Sequence, residues 1–249
     1  MDETGRVQAV IFDWGGTLTP WHTVDHRAEW RSLAAAHPLA SGSLDEAGDG
    51  SGAVEALTAA LLEAATQVWA RSRDEHRSAT LDEVCSLAGI ELTAEHALAY
   101  RAFWEPATWT DRDVEPLWTA LRERGIAVGV LSNTIWPRRW HEEIFERDGV
   151  LDLIDGAVYT SEIEWTKPHS AAFVAAMRAV GVDDPTRCVF VGDRLFDDIW
   201  GAAAARMRTI WVPHSDIPAD QHGHSAGEPD ATVQRLAEVD DVIARWDTG

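Results

Sequence analysis

Four short, almost unbroken apolar runs most constrain what this chain can fold into. They cover residues 7–13 (VQAVIFD), 126–132 (IAVGVLS), 187–192 (RCVFVG) and 208–213 (RTIWVP), with a weaker fifth run at 156–160 (GAVYT). A strand with one wet face alternates apolar and polar residues. An unbroken run needs cover on both faces, as in a parallel sheet between helical layers. The stretches between the runs supply such helices. VEPLWTALRERG follows Asp113 and stops at Gly125. Residues 138–148 are amphipathic. Residues 170–180 carry Phe173, Val174 and Met177 ahead of Gly181, and 196–207 are short and Ala-rich. This alternation predicts a doubly wound α/β fold with a parallel sheet.

The first two runs are separated by far more chain than one crossover needs. Residues 21–112 read as an all-helical insert, a cap, on an α/β core of 1–20 and 113–249. Val54, Leu57, Leu61, Ala64 and Val68 recur at helical spacing. Thr80 and Glu83 have the spacing of a capping box, with a stop near Gly89. Another helix follows Thr93 and ends before Pro106. Residues 41–52 and 214–229 are Gly/Ser-rich and read as loops, and 231–246 as a short strand and a helix.

Charge narrows the partners. Against 42 Asp+Glu stand 21 Lys+Arg, a net of −21. Such a surface repels nucleic acid and anionic lipid. A small anionic substrate needs a cation or local donors to reverse the field in its site. Cys85 and Cys188 make neither a disulfide framework nor a metal pair. The first residues are polar and no run is long enough to span a bilayer, so a cytoplasmic protein is expected. The oligomeric state is not legible. Only one of the basic residues is a lysine, Lys167.

Polar groups gather at the run ends. Asp13 closes the first, Ser132-Asn133-Thr134 the second and Asp193 follows the 187–192 run, while Lys167-Pro168 precedes a helix. In an open parallel sheet the carboxyl ends of strands line the ligand crevice. Asp13-Trp14-Gly15-Gly16-Thr17-Leu18, Leu131-Ser132-Asn133-Thr134, Thr166-Lys167-Pro168 and Val191-Gly192-Asp193 with Asp198 and Gly201-Ala202 resemble, in order and spacing, the four motifs of the haloacid dehalogenase-like (HAD) hydrolases. The helical insert stands where that superfamily places its C1 cap.

The resemblance implies a phosphatase of a small phosphorylated metabolite, a sugar phosphate among the candidates. Asp13 would be the nucleophile, and Lys167 and Ser132 its catalytic partners. Trp14, Gly16, Thr17 and Asn133 would contact substrate. Mg²⁺ would be held by Asp13, the Gly15 carbonyl and Asp193 directly, with Asp198 acting through water; Asp197 reads as a helix-start residue. One position departs from the pattern: Gly15 stands where most phosphatases of the family carry an acid/base aspartate. Either the leaving group needs little protonation, as in a sugar 1-phosphate or an acyl phosphate, or His22, Asp25 or His26 substitutes. A catalytically impaired binding protein is the alternative, and a haloacid dehalogenase a more distant one. Phosphonoacetaldehyde hydrolysis is set aside, because that chemistry uses a cap lysine and this insert has none. Trp14, Trp136, Trp140 and Trp165 read either as an aromatic wall of the site or as packing where cap meets core. His222 and His224 form at most a weak metal pair.

Overall fold

A computed structural model describes residues 6–38, 51–213 and 226–248. Six parallel strands form one sheet: β1 Ala9–Phe12, β2 Ala127–Ser132, β3 Gly156–Tyr159, β4 Cys188–Gly192, β5 Arg208–Trp211 and β6 Ala231–Thr232. Their order is β3-β2-β1-β4-β5-β6, so the direction of winding reverses between β1 and β4. That reversal opens a crevice at the carboxyl ends of those two strands.

The unbroken apolar runs are explained by what covers them. Every residue of β1 is buried. Val10 and Phe12 point into one layer, shared with Leu117, Trp118 and Leu121 of helix α5 (Val114–Glu123) and Val242 and Ile243 of helix α9 (Val239–Thr248). Ala9 and Ile11 point into the other, shared with Phe173, Ala176 and Met177 of helix α7 (Ser170–Ala179).

Among the described residues, four helices precede α5 between β1 and β2: α1 His26–Ala35, α2 Ser51–Glu75, α3 Leu81–Leu87 and α4 Ala94–Trp104. The apolar stripe of α2 buries Leu61, Ala64 and Val68, with Val54 and Leu57 half-covered beside them. Thr80 accepts from the Glu83 N–H at 3.1 Å, but the Glu83 carboxylate reaches Arg71 at 2.8 Å. The reciprocal half of the expected capping box is replaced by that ion pair. The full box occurs at Thr93, with His96 as its second member.

The helical insert shares an apolar cluster with the sheet-bearing part of the chain. Trp30, Leu33, Leu61, Leu81, Val84 and Tyr100 pack with Ile135, Trp136, Trp140 and Ile144, the last two on helix α6 (Arg138–Arg147). No helix among the described residues is long and apolar enough to cross a membrane. Residues 41–50 of the first expected loop and 214–225 of the second, with His222 and His224, lie outside the described residues. Ser51 and Gly52, read as loop, instead open α2.

Candidate active site

Asp13 is the residue after β1. Its N–H donates to the Val191 carbonyl at 2.9 Å, carrying the ladder one step beyond the strand. In register, Phe12 lies between Val130 of β2 and Val191 of β4. The ends of those neighbours lead into Ser132, which is buried, and Asp193. Asp13, Asp193 and Asp198 are all buried and each offers an oxygen within 4.8 Å of the other two.

Three carboxylates in so small a volume repel one another, and Lys167 offsets them. Its Nζ donates to Asp13 Oδ1 at 2.5 Å and to Asp198 Oδ1 at 2.7 Å, with 3% of the residue exposed. Burial works against the ammonium, yet Asp13 and then Asp198 outweigh it and hold the Lys167 pKa above its ordinary value. Burial pushes Asp13 up to about 6; Lys167 pulls it down and Asp198 adds to the rise. Asp193 is raised well above the carboxylate range, by burial first and then by Asp13 and Asp198. Near neutral pH, Asp13 is therefore an anion held against a fixed cation, the condition a carboxylate nucleophile needs.

The lysine is held from both sides. Asn133 accepts from the Lys167 N–H at 2.8 Å and its amide donates to the Lys167 carbonyl at 3.0 Å. This two-point clamp ties the end of β2 to the loop ahead of α7, a role for Asn133 that its sequence position does not reveal. Asp198 gives Oδ1 to Lys167 and accepts from the Arg194 N–H on Oδ2 at 2.9 Å. Both of its oxygens thus hold protein donors. A Cβ on Gly192 would come within 2.4 Å of the Asp198 carboxyl group, and one on Gly201 within 2.9 Å of Pro168. Those two glycines let the Asp198 turn pack against β4 and the lysine loop.

That turn is not the simple helix expected over 196–207. Leu195–Trp200 is a π-helical turn leading into α8, Gly201–Ala204. The Arg194 carbonyl accepts from both Asp198 and Ile199 N–H, at 3.1 and 3.2 Å. The widened turn is a common device at functional sites. Asp197 lies in its first turn, beside Asp198.

After Asp13 the chain turns on Gly16, whose φ of 92° is the left-handed region glycine favours. The Gly16 N–H donates to Thr19 O at 2.8 Å and the Thr17 N–H to Trp14 O at 3.3 Å, so both N–H groups close the turn. Thr17 Oγ1 lies 3.3 Å from Asp193 Oδ1. Asp193 Oδ2 is buried with no hydrogen bond, and the Arg194 Nε stands 3.8 Å away. Gly15 faces open space: a Cβ there would have nothing within 4 Å.

Two of the three candidates for a substitute acid are engaged locally. Asp25 caps α1, accepting from Arg27 N at 2.9 Å and Ala28 N at 3.2 Å. His26 pairs with the buried Glu29 at 2.8 Å; that hydrogen bond, against partial burial, raises its pKa. His22 is exposed. The four tryptophans all pack against other rings. The Trp14 ring, expected on the substrate, meets His141 edge-on at 4.5 Å and Trp136 at 5.5 Å. Trp136 and Trp140 are buried between insert and sheet, and Trp165 stacks on His169 at 4.0 Å under Arg77. Arg194 and Trp21, which sequence reasoning did not single out, stand together at the site: the guanidinium lies 4.9 Å from the Trp21 ring centroid.

A family model of haloacid dehalogenase-like hydrolases matches residues 7–206. The chain is similar to a glyceraldehyde 3-phosphate phosphatase of Methanopyrus kandleri, 27% identical over 241 residues, or 95% of this chain and 97% of the relative. Among solved structures it is similar to a HAD phosphatase from Thermococcus onnurineus, with TM-score 0.64, 20% identity and 95% of this chain and 98% of that one covered. It is also similar to a 2-haloacid dehalogenase from Pseudomonas syringae pv. Tomato, with TM-score 0.61, 21% identity and 96% and 99% covered. At such identities the structures speak for the fold alone, which hosts more than one chemistry. The family match, by contrast, runs from β1 through the turn that holds Asp198 and takes in every residue of the carboxylate–lysine cluster, so the chain belongs to the haloacid dehalogenase-like hydrolases.

Proposed function

We propose that this hydrolase is a Mg²⁺-dependent phosphatase of a small phosphorylated metabolite, working through an aspartyl-phosphate on Asp13. Residues 21–112 form its cap and 1–20 with 113–249 its core. The observation that carries this reading is the unsatisfied Asp193 Oδ2 beside the Asp13–Lys167 pair. A buried carboxylate oxygen without a donor calls for a partner. Hard carboxylate oxygens suit a small divalent cation that keeps several of its waters. Asp13 and Asp193 would hold Mg²⁺ together with the Gly15 carbonyl, and Asp198, whose oxygens already have donors, would act through water. Bound there, the ion neutralises charge where a phosphate dianion meets a carboxylate. The name of the full-length Methanopyrus relative supports the phosphatase reading over dehalogenation.

In the first step an Asp13 oxygen attacks phosphorus while the P–O bond to the leaving group breaks, and the leaving group departs with the electron pair. Lys167 keeps Asp13 ionised and aimed, and Ser132 with the Asn133 backbone N–H binds the phosphoryl oxygens. Water then attacks phosphorus, releasing inorganic phosphate and restoring the carboxylate. No carboxyl at position 15 protonates the leaving group. The favoured substrates therefore have leaving groups that depart as weak bases, such as anomeric or acyl phosphates. The expected result is hydrolysis of p-nitrophenyl phosphate with Mg²⁺ that chelation stops and that Asp13→Asn lowers at least ~10³-fold. No turnover on this ester or on a panel of metabolite phosphates would favour the second reading, a binding protein impaired by Gly15.

A further inference from the structure

Residues 163–169 lead from the 3₁₀ turn after β3 (Thr160–Glu162) to the start of α7 and lie outside the helices and strands. Backbone groups in such a segment need partners from elsewhere when they are buried. Asn133 supplies those of Lys167 itself. The helical insert supplies those of the residues just before it. The Thr166 N–H donates to His76 O at 2.9 Å and the Ser78 N–H to Glu164 O at 3.1 Å, an antiparallel bridge centred on Arg77 and Trp165. Ser78 Oγ donates to Ile163 O, and Ser72 Oγ to Thr166 Oγ1 at 3.3 Å. The Arg77 guanidinium pairs with Glu164 and covers the Trp165 ring at 4.4 Å. His76 bends the chain into this pairing with a φ of 56°, in the left-handed region that is uncommon for a residue other than glycine. Further along, the Leu81 N–H donates to Ile135 O at 2.8 Å, just beyond Asn133. Residues 76–81 thus grip the chain on both sides of the Asn133–Lys167 clamp.

We infer that the turn 76–78 of the insert positions Lys167 against Asp13, with His76 and Ser78 as positioning residues, so that the reacting pair is complete only while the insert is seated. The consequence for rate rests on the phosphatase reading, in which Lys167 aims the attacking carboxylate. The ammonium has little slack, since Nζ meets Asp13 at 2.5 Å and Asp198 at 2.7 Å. Its backbone anchor is shared. Asn133 holds position 167, and among the described residues the bonds from Ile163, Glu164 and Thr166 to elements distant in sequence run to the insert. Releasing 163–166 leaves the lysine on one anchor, and a misplacement of about 1 Å costs as much as ~10²-fold in rate. The effect falls on kcat and spares KM, because the bond from Asp13 to phosphorus begins to form only in the transition state. Position 76 contributes its carbonyl and its bend, and its imidazole has no part.

Because Lys167 is the chain's one lysine, its accessibility can be read directly. The full chain is treated with trinitrobenzenesulfonate, and modification of Lys167 is followed by peptide mass, apart from that of the N-terminal amine. Iodoacetamide at Cys188, buried in β4, reports general loosening. His76→Val, whose branched Cβ disfavours positive φ, is expected to speed Lys167 modification at least ~10-fold and Cys188 modification less than ~2-fold. With p-nitrophenyl phosphate and Mg²⁺ it should lower kcat at least ~10-fold and move KM less than ~2-fold. His76→Gly, which takes this φ freely, should keep every one of these rates within ~3-fold of wild type. If His76→Val does not fold, Ser78→Ala should speed Lys167 modification at least ~3-fold and Ser78→Thr should restore it. An unchanged Lys167 rate or kcat, a Cys188 rate that rises in step, or a glycine variant that loses as much as valine overturns the inference and leaves the phosphatase reading standing. A wild type without turnover overturns that reading, and the labelling contrast between valine and glycine then decides the inference alone.

Discussion

Gly15 is the residue on which the chemistry turns. An aspartate at this place would supply a proton to the leaving group, and glycine supplies only backbone. The structure shows that nothing fills the space a side chain would take, and φ at Gly15 is not in the left-handed region. Gly15→Asp should therefore fold and place a carboxyl beside Asp13. General acid catalysis contributes ~10²–10⁴-fold where the leaving group is a strong base and little where it is weak. The variant is expected to speed alkyl phosphates at least ~10-fold and p-nitrophenyl phosphate less than ~3-fold, flattening the dependence of rate on leaving-group pKa. Equal acceleration of both would show that the proton is not what the wild type lacks. At this scale the sequence exposed the groups that the structure brings together, because Asp13, Lys167 and Asp193 stand at strand ends or just before a helix. It hid the groups that act on other groups. The Asn133 clamp joins backbone atoms 34 residues away, and the place of Arg194 depends on where Trp21 folds back. Neither leaves a periodic or local trace.

Elements show the same division. Strands and helices were legible because burial on two faces or one stripe writes a pattern into the sequence. The π-helical turn at Leu195–Trp200 was not, because its cause is tertiary. Asp198 must meet Lys167 and the Arg194 N–H at once, under a glycine that leaves it room. The tryptophans were legible as important but ambiguous in role, and the structure buries two of them, Trp136 and Trp140, in packing. Trp140 is 2% exposed, against Tyr100 at 6.1 Å and Trp136 at 5.9 Å between ring centroids. Behind them the insert buries a carboxylate with its donors in place: Glu29 accepts from Tyr100 at 2.5 Å and Trp104 at 3.3 Å, and pairs with His26. Trp140→Ala would leave a large hole where the insert sits on α6. Comparable truncations cost about 3–5 kcal/mol, and urea denaturation is expected to show a loss in that range. A loss under ~1 kcal/mol would mean that the insert is not seated through this cluster. Backbone contacts would then be its principal attachment, such as Leu81 N–H to Ile135 O at 2.8 Å and Thr166 N–H to His76 O at 2.9 Å.

For the whole molecule the governing quantity is the net charge of −21. A phosphate ester approaching from solvent meets a repulsive far field, and the attractive charges of the site are local and partly enclosed. Added salt screens the first more than the second, because buried charges are shielded less than exposed ones separated by more than a Debye length. That length falls from ~30 Å at 0.01 M to ~8 Å at 0.15 M. Raising NaCl between those values at constant free Mg²⁺ should raise kcat/KM for a dianionic ester about 3–10-fold and leave kcat unchanged, the reverse of an enzyme that steers anions with a basic surface. A fall in kcat/KM would show that the cations of the site dominate the approach. The sign thus decides whether the acidic exterior is a barrier the substrate crosses, or whether Lys167, Arg194 and the proposed Mg²⁺ extend an attractive field beyond the site.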